Sequence, residues 1–372
     1  MTHRWCSAAC VAAAAALWLG ILSGCARGPA PLLTDVPTAT ELGYRIGWQT
    51  DLELPDPDRI ESLTPMGQML VVVESSKIIE AVDTATGDIR WRHQVTDDIT
   101  ELTDPLAYRG DVVVCTDVRA HVIHADQGKL IQRFDLAHRA STSPVLHQGM
   151  LVFGTPTGRL FAQATRTGTL MWQYKMTSAI SADPVIEKGF VTVADTTGNV
   201  AAISAGNGNL VWRKFKPPWD AVETQIRQAG NLILVACSDQ KLYAFERGSG
   251  NLSWQYLTQF PLTHSPHVIG ERVFQHTREH GVVCLDLVSG EVQWQSREVT
   301  GTPFMRRGDE VVFYEPDADG GLDLHFVRLD AGEIARTVHL DHVDHVLTDH
   351  ADSGGALYLA DNTGRIMKLL PR

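Results

Sequence analysis

The residues best suited to metal chemistry lie near the C-terminus, where histidines and aspartates are interspersed over residues 339–352. Imidazole nitrogens and carboxylate oxygens are zinc ligands, so this segment could form a metal site. His342 and His345, however, differ by an odd number of positions, and on a strand they would face opposite sides. The same holds for His121 and His124. This alternation favours solvated strand-end residues over a metal centre.

A second acidic segment, Asp317 to Asp323, partly resembles a calcium-binding loop. It lacks the third acidic position and the closing glutamate that would bind calcium through both oxygens. Aspartate and glycine are also ordinary turn residues, so we interpret the segment as an acidic hairpin turn. The chain contains no Gly-x-Ser-x-Gly, P-loop lysine or His-Glu-x-x-His motif. Catalytic groups assembled from distant segments would leave no such motif.

One basic segment contrasts with the formal net charge of −12 of the whole chain. It combines Arg213, Lys214 and Lys216 with two prolines and ends at Trp219. An aromatic side chain beside cations on a loop is typical of a protein contact, so these residues are candidates for binding a partner. The alternative is that Trp219 packs onto its own domain beside solvated cations. The overall negative charge disfavours binding to nucleic acid or to an anionic membrane surface.

These segments are positioned by a repeat. Its clearest copy, AVDTATGDIRW at residues 81–91, has the form of a strand end, a Thr-Gly turn and an outgoing strand with a tryptophan. Four more copies keep the glycine and the tryptophan, at residues 162–172, 202–212, 244–254 and 284–294. Two weaker copies place Gln132 and Arg336 in the tryptophan position. The turn glycines are Gly87, Gly128, Gly168, Gly208, Gly250, Gly290 and Gly332, spaced 40 to 42 residues apart. Regular spacing of β-type sequence at this period predicts propeller blades of four short strands.

The two ends of the chain complete one further blade. Residues 44–52 resemble an outgoing tryptophan strand without its three preceding strands, and residues 342–370 supply three strands without a fourth. Pairing the N-terminal strand with the C-terminal blade would close a ring and leave no free sheet edge at the seam. We therefore predict an all-β protein in which residues 41–372 form an eight-bladed β-propeller of four-stranded antiparallel blades.

The repeat, the eight blades and the length together resemble the quinoprotein-like (PQQ-repeat) β-propellers, and within them the BamB-type outer-membrane assembly lipoproteins. The resemblance implies that the repeated tryptophans dock between adjacent blades. A tryptophan suits this role because it buries a large ring and carries one N–H that needs a carbonyl. The implied docking residues are Trp91, Trp172, Trp212, Trp254 and Trp294, together with Gly87, Gly168, Gly208, Gly250 and Gly290. Gln132 and Arg336 should leave blades 2 and 7 less firmly fastened.

The N-terminus has the features of a bacterial lipoprotein signal. Arg4 precedes an apolar run from Cys10 to Leu22 that is too short for a comfortable membrane span. The run ends in Leu-Ser-Gly-Cys25, which predicts removal of residues 1–24 and attachment of lipid to Cys25. An ordinary secretory signal is the alternative. Residues 25–40 are rich in proline, alanine and threonine, and we expect a lipidated cysteine followed by a flexible tether.

The resemblance implies a non-enzymatic lipoprotein of the cell envelope, at the periplasmic face of the outer membrane, that acts as a protein-binding scaffold. Its partners would be proteins, among them the outer-membrane β-barrel assembly machinery, and the propeller would be a monomer. The alternative is a quinoprotein-type dehydrogenase with PQQ and calcium in the central funnel, or a receptor for a small ligand there. The chain has no vicinal cysteine pair, and no cofactor ligand set can be carried over. We therefore assign no cofactor, metal or catalytic residue.

Overall fold

The computed structural model describes residues 31–96, 100–214, 222, 224–318, 320–352 and 354–372. These residues form eight four-stranded antiparallel sheets and one short helix, α1 (Val36–Glu41). Seven sheets contain four consecutive strands, and the eighth combines both ends of the chain. The predicted all-β, eight-bladed propeller is confirmed.

The strands are given blade by blade, from the first to the fourth. Blades 1 to 4 contain β2 (Ile60–Met66), β3 (Met69–Glu74), β4 (Ile78–Asp83), β5 (Ile89–Gln94); β6 (Leu106–Tyr108), β7 (Asp111–Cys115), β8 (Arg119–His124), β9 (Leu130–Asp135); β10 (Val145–His147), β11 (Met150–Gly154), β12 (Arg159–Ala164), β13 (Leu170–Lys175); β14 (Val185–Glu187), β15 (Phe190–Ala194), β16 (Val200–Ser204) and β17 (Leu210–Lys214). Blades 5 to 8 contain β18 (Arg227–Ala229), β19 (Leu232–Cys237), β20 (Lys241–Glu246), β21 (Leu252–Leu257); β22 (His267–Ile269), β23 (Arg272–Thr277), β24 (Gly281–Asp286), β25 (Val292–Ser296); β26 (Thr302–Arg307), β27 (Glu310–Pro316), β28 (Leu322–Arg328), β29 (Ile334–Leu340); β30 (His345–Thr348), β31 (Leu357–Ala360), β32 (Arg365–Pro371) and β1 (Tyr44–Asp51).

The ring closes as expected, by pairing the first strand with the last. Strand β1 lies antiparallel to β32, with Tyr44 opposite Pro371 and Asp51 opposite Arg365. Beyond the strand, Arg372 Nε donates to the Tyr44 carbonyl at 2.9 Å. Because the two termini share one sheet, an opening of the ring must break this whole ladder.

The core lies between neighbouring blades. The middle strands are buried along their length, as in β11, because another blade covers each of their two faces. The fourth strands alternate, and in β13 the side chain of Trp172 is buried while its two neighbours are exposed. One hydrophobic cluster contains Val152 of blade 3 and Ile203 of blade 4. Each blade is therefore stabilised chiefly by the burial of apolar surface against the next blade.

The start of the folded domain differs from the expectation. Leu33 is 4% exposed and Ala39 of α1 is 1% exposed, and both belong to a core cluster with residues of blades 7 and 8. Asp35 caps the helix, because its Oδ1 accepts a hydrogen bond from the Thr38 amide at 2.8 Å. The boundary predicted near residue 41 is thus wrong, and the fold reaches back to Leu33. Cys25 and the predicted signal lie outside the described residues.

The described residues include three cysteines that are buried and form no disulfide with one another, namely Cys115, Cys237 and Cys284. Burial raises the pKa of the Cys115 thiol to about 12. Because the thiolate is the reactive form, Cys115 acts as a small apolar side chain of the core. Among the described residues, no helix is both long and apolar enough to cross a lipid bilayer.

Candidate functional site

The five repeated tryptophans lie at the contacts between consecutive blades. Each indole is 7% or 8% exposed, and its Nε1 donates to a backbone carbonyl of the following blade at 2.5 to 3.0 Å. The pairs are Trp91 with Ala125, Trp172 with Ala205, Trp212 with Arg247, Trp254 with Leu287 and Trp294 with Leu329. Each carbonyl lies three residues before a turn glycine, so one geometry recurs around the ring.

The turn glycine supplies the surface on which the indole lies. Gly250 has φ +68°, and a Cβ at this position would stand 2.5 Å from Cδ2 of Trp212. A side chain here would meet both the left-handed backbone and the ring of the preceding blade. The glycine and the tryptophan therefore recur together because they touch across the blade interface.

Two docking residues were missed in the sequence. Trp48 on β1 donates through Nε1 to the Thr84 carbonyl at 3.1 Å and lies over Gly87, so it fastens blade 8 to blade 1. In blade 2, the tryptophan position is occupied by Gln132. Phe134, two residues later, lies over Gly168 of blade 3 in its place. Phenylalanine restores the ring contact without the N–H. Weaker fastening of blade 2 stays a prediction, and the lost N–H is the physical reason for it.

Blade 7 lacks the tryptophan for a topological reason. The third and fourth strands of blade 8 come from opposite ends of the chain, so no glycine turn joins them. Arg336, in the tryptophan position, instead lies over the Phe326 ring at 3.5 Å and pairs with Glu310 at 3.0 Å. Both contacts of the Arg336 side chain are therefore within blade 7 and do not join it to blade 8.

The basic segment is described only in part. Arg213 is exposed and Lys214 is half-buried at the end of β17, whereas Lys216 and Trp219 lie outside the described residues. Leu210 and Val211 on the same strand are 46% and 42% exposed. We call the side chains of Leu210, Val211, Arg213 and Lys214 the blade 4 edge, because β17 is the outermost strand of its sheet. It combines apolar surface, two cations and an edge strand.

Of the C-terminal histidines, His339 lies beside two aspartates. His339 contacts Asp323 at 2.8 Å and Asp341 at 3.3 Å. The hydrogen bond with Asp323 raises the pKa of His339. Strands β27 and β28 pair antiparallel as far as Pro316 and Leu322, in agreement with the hairpin interpretation. Throughout the described part of the chain, no group of three or more histidine, cysteine or acidic side chains could hold a metal ion.

The mouth of the central channel contains a site that the sequence did not reveal. The first strands of neighbouring blades contact one another around the axis, and all begin on one face because every blade has the same strand order. Backbone amides there bond to side chains of the next blade. The pairs are Ser143 N with Asp183 Oδ1 at 2.7 Å, Asp183 N with Gln225 Oε1 at 3.0 Å and Gln225 N with Ser265 Oγ at 2.8 Å.

Two cavities open at this face, one on each side of the channel. The cavity on blades 5 to 7 measures about 430 Å³, and its lining includes Arg227, His264, Ser265, His267, His276 and Thr302. The cavity between blades 8, 1 and 2 measures about 650 Å³, and its lining includes Arg59, Glu61, Glu101, Asp104, Asp344 and His345. Among the described lining residues, acidic side chains thus line only the larger of these two cavities, whereas each cavity has one arginine.

The three histidines of the smaller cavity lie close together. The rings of His264 and His276 are 5.3 Å apart between centroids. His276 Nε2 lies 2.6 Å from the Gly301 carbonyl, which can only accept, so this nitrogen carries the hydrogen. Burial, the charge of Arg227 and the other two histidines lower the pKa of His267 to about 4. His267 is therefore neutral near neutral pH.

The quinone and calcium of quinoprotein enzymes do not fit these cavities as a pair. Calcium takes oxygen ligands, chiefly carboxylates. The described lining of the smaller cavity offers an arginine and three histidines but no carboxylate, and the carboxylates line the other cavity. A quinone anion attracted to Arg227 would therefore lie apart from the calcium ligands. We derive no redox step from this site.

Solved structures of several functions share this fold. BamB from Moraxella catarrhalis has a TM-score of 0.65 and 16% identity, over 87% of this chain and 98% of that one. Quinohemoprotein alcohol dehydrogenase from Comamonas testosteroni has a TM-score of 0.66 and 12% identity, over 90% of this chain and 77% of that one. The computationally designed protein Ika8 has a TM-score of 0.66 and 16% identity, over 87% and 98%. At such identities the likeness shows the fold alone.

Sequence comparison distinguishes between the protein families that share this fold. The outer membrane protein assembly factor BamB of Bordetella pertussis is 31% identical over 113 residues, which span 29% of this chain and 28% of the relative. A family model described as outer membrane protein assembly factor BamB matches residues 116–368, which is more than half of the chain. Together with the repeat and the eight blades, this match shows that the chain belongs to the BamB family of PQQ-repeat β-propellers.

Proposed function

We propose that the protein is a non-enzymatic scaffold of the cell envelope that binds other proteins during the assembly of outer-membrane β-barrel proteins. The observation that carries this proposal is the family match over residues 116–368. The fold supports it, since eight blades fastened to one another present many loops and edge strands on one stiff body. Its mechanism would be contact and positioning, with no bond made or broken.

We propose that the blade 4 edge is one contact surface for such a partner. Leu210 and Val211 offer apolar area, Arg213 offers an exposed cation, and the basic segment with Lys216 and Trp219 continues from the same strand. Interfaces are enriched in arginine and tryptophan, and their centres are apolar. At the matched positions, blade 5 has Leu252, Ser253 and the uncharged Gln255, so it has a polar residue in place of Val211 and no cation in place of Arg213.

Copurification from native membranes tests both statements. The tagged wild-type protein is expected to recover a component of the barrel-assembly machinery after crosslinking, and Arg213→Glu or Trp219→Ala should recover much less. Gln255→Glu places the same charge at the matched position of blade 5 and should behave as the wild type. Equal recovery with Arg213→Glu would move the contact away from blade 4. Failure of the wild type to recover any such component would contradict the scaffold role itself.

We further propose that the mature protein begins at Cys25 and is held at the periplasmic face of the outer membrane by lipid on that residue. The apolar run and the Leu-Ser-Gly-Cys25 sequence support this proposal. Intact mass spectrometry of the protein extracted from membranes should show loss of residues 1–24 and acyl chains on the new N-terminus. An unmodified N-terminus, or one away from Cys25, would contradict the anchor.

A further inference from the structure

The smaller cavity at the channel mouth is built by three blades. We call it the imidazole pocket and define it by Arg227, His264, Ser265, His267, His276 and Thr302. Arg227 and His267 begin the first strands of blades 5 and 6, and Thr302 begins that of blade 7. His276 projects from β23, behind the first strand of blade 6. Residues distant in sequence thus converge on one space of about 430 Å³.

Two hydrogen-bond donors of this pocket, the Arg227 guanidinium and the Ser265 hydroxyl, have no acceptor within the part of the chain that the structure describes. Among the described residues, Arg227 forms no ion pair within 4.0 Å, and Asp183 attracts it only from farther away. The Ser265 oxygen accepts from the Gln225 amide at 2.8 Å, which leaves its hydroxyl hydrogen available. The guanidinium and the hydroxyl both come from the start of a first strand, so they can serve one ligand in the channel.

We propose that the imidazole pocket binds the carboxylate group of an anionic ligand. A guanidinium presents a planar pair of N–H groups that matches the two oxygens of a carboxylate. No acidic side chain is among the described residues that line the pocket, so an incoming anion meets no like charge there. A metal cation would instead meet the permanent positive charge of Arg227. The ligand would be a small free carboxylate or the carboxyl group of a peptide, and this proposal is independent of the scaffold role.

Binding should strengthen as the pH falls. His267 is faced by Arg227 on β18, by His264 before β22 and by His276 on β23. Two carboxylates lie beyond these groups. Against the effect of burial, the charge of Glu315 on β27 raises the pKa of His276, and the charge of Asp183 of blade 4 raises the pKa of Arg227. The cations and burial hold His267 neutral in the free protein, and a bound carboxylate offsets them. The complex therefore takes up a proton that the free protein lacks, which favours binding at lower pH.

The test uses the full-length protein in detergent and two probes. Succinate represents a free carboxylate, and N-acetylated trialanine represents a peptide carboxyl group, with its C-terminal amide as the uncharged control. Calorimetry should show binding of succinate or of the free peptide, tighter at about pH 5 than at about pH 8. The NMR resonance of the His267 ring can be assigned by its absence in His267→Gln. Its chemical shift should change over the same range of ligand concentration as the calorimetric signal.

Two arginine variants locate the site. Arg227→Gln should weaken binding about tenfold or more, because it removes the charge-assisted pair. Arg59→Gln removes an arginine from the larger cavity at the same face and should leave binding unchanged. Thermal unfolding of both variants checks that the propeller is intact. Binding of only one probe would identify the source of the carboxylate and support the proposal.

Three results would overturn the proposal. The first is no heat and no histidine shift with either probe at millimolar concentration. The second is equally tight binding of the amidated peptide, since that ligand has no carboxylate. The third is binding of Zn²⁺ alone that shifts the ring of His267 while Arg227→Gln leaves succinate binding unchanged, because the pocket would then be a metal site.

Discussion

Gly250→Ala is expected to lower the free energy of unfolding by about 3 kcal/mol, although it adds a single methyl group. The φ of +68° at Gly250 is costly for alanine. The new Cβ would also stand 2.5 Å from the Trp212 ring, which must move. That movement disturbs both the packing of the indole and its 2.6 Å hydrogen bond to the Arg247 carbonyl. The loss can be measured by urea denaturation followed by tryptophan fluorescence.

Gly248 provides a matched control in the same turn. It has no positive φ, and a Cβ there would meet nothing within 4 Å. Gly248→Ala should therefore change stability by less than about 0.5 kcal/mol. If the two variants unfolded at the same urea concentration, the contact between turn glycine and indole would not be what fastens blades 4 and 5.

Glu80→Gln is expected to stabilise the protein by about 2 kcal/mol near pH 8, an unusual sign for a buried substitution. Glu80 is 1% exposed on β4, beside the equally buried Glu74 on β3. Arg92 contacts both carboxylates at 3.0 Å. Burial and the charge of Glu74 outweigh Arg92 and raise the pKa of Glu80 to about 7. Glutamine keeps an oxygen for Arg92 and carries no charge to bury.

The stabilisation by Glu80→Gln should depend on pH, because the pKa of Glu80 differs between the folded and the unfolded protein. The unfolded chain releases the Glu80 proton near the ordinary glutamate pKa of 4.5, whereas the folded protein keeps it to about pH 7. The contribution of Glu80 to stability is thus complete below the lower value and is lost as the pH rises through the higher one. The advantage of Glu80→Gln should therefore vanish near pH 4 and grow to its full size by pH 8.

Glu61→Gln is the control for this series, because it makes the same chemical change in the same blade. The side chain of Glu61 is 26% exposed and pairs with Lys77 at 3.2 Å. Loss of that pair should cost no more than about 1 kcal/mol. Calorimetric melting of all three proteins across the pH range measures the difference. An advantage of Glu80→Gln that does not grow with pH would show that Glu80 is ionised in the fold throughout.

The eight-bladed architecture was predictable because the residues that form the contact between blades recur in the sequence. A turn glycine and a tryptophan recur at a spacing of 40 to 42 residues, since each indole lies on the glycine of the next blade. The split blade followed from strands left over at both ends. Helix α1 escaped prediction because Leu33, Ala39 and Leu42 are too few apolar residues to set a period within a proline- and threonine-rich segment.

The channel mouth was not predictable from local clusters. The histidine-rich stretch near the C-terminus drew attention, yet its first histidine, His339, pairs with aspartates, and His345 lines the larger cavity rather than the imidazole pocket. The imidazole pocket instead takes residues from three blades, and the chain shows no motif there. Comparison of the repeats at the position two residues before each first strand would have indicated the mouth. That position holds Asp104, Ser143, Asp183, Gln225 and Ser265 in blades 2 to 6.

Site-specific photo-crosslinking in intact cells tests the scaffold role most directly. A photoreactive amino acid replaces Arg213 on the blade 4 edge or Gln255 at the matched position of blade 5. We predict that residue 213 crosslinks to a component of the barrel-assembly machinery and that residue 255 does so weakly or not at all. No crosslink to that machinery from either position would contradict the blade 4 contact. Crosslinks from residue 213 only to a soluble redox protein would contradict the scaffold role as well.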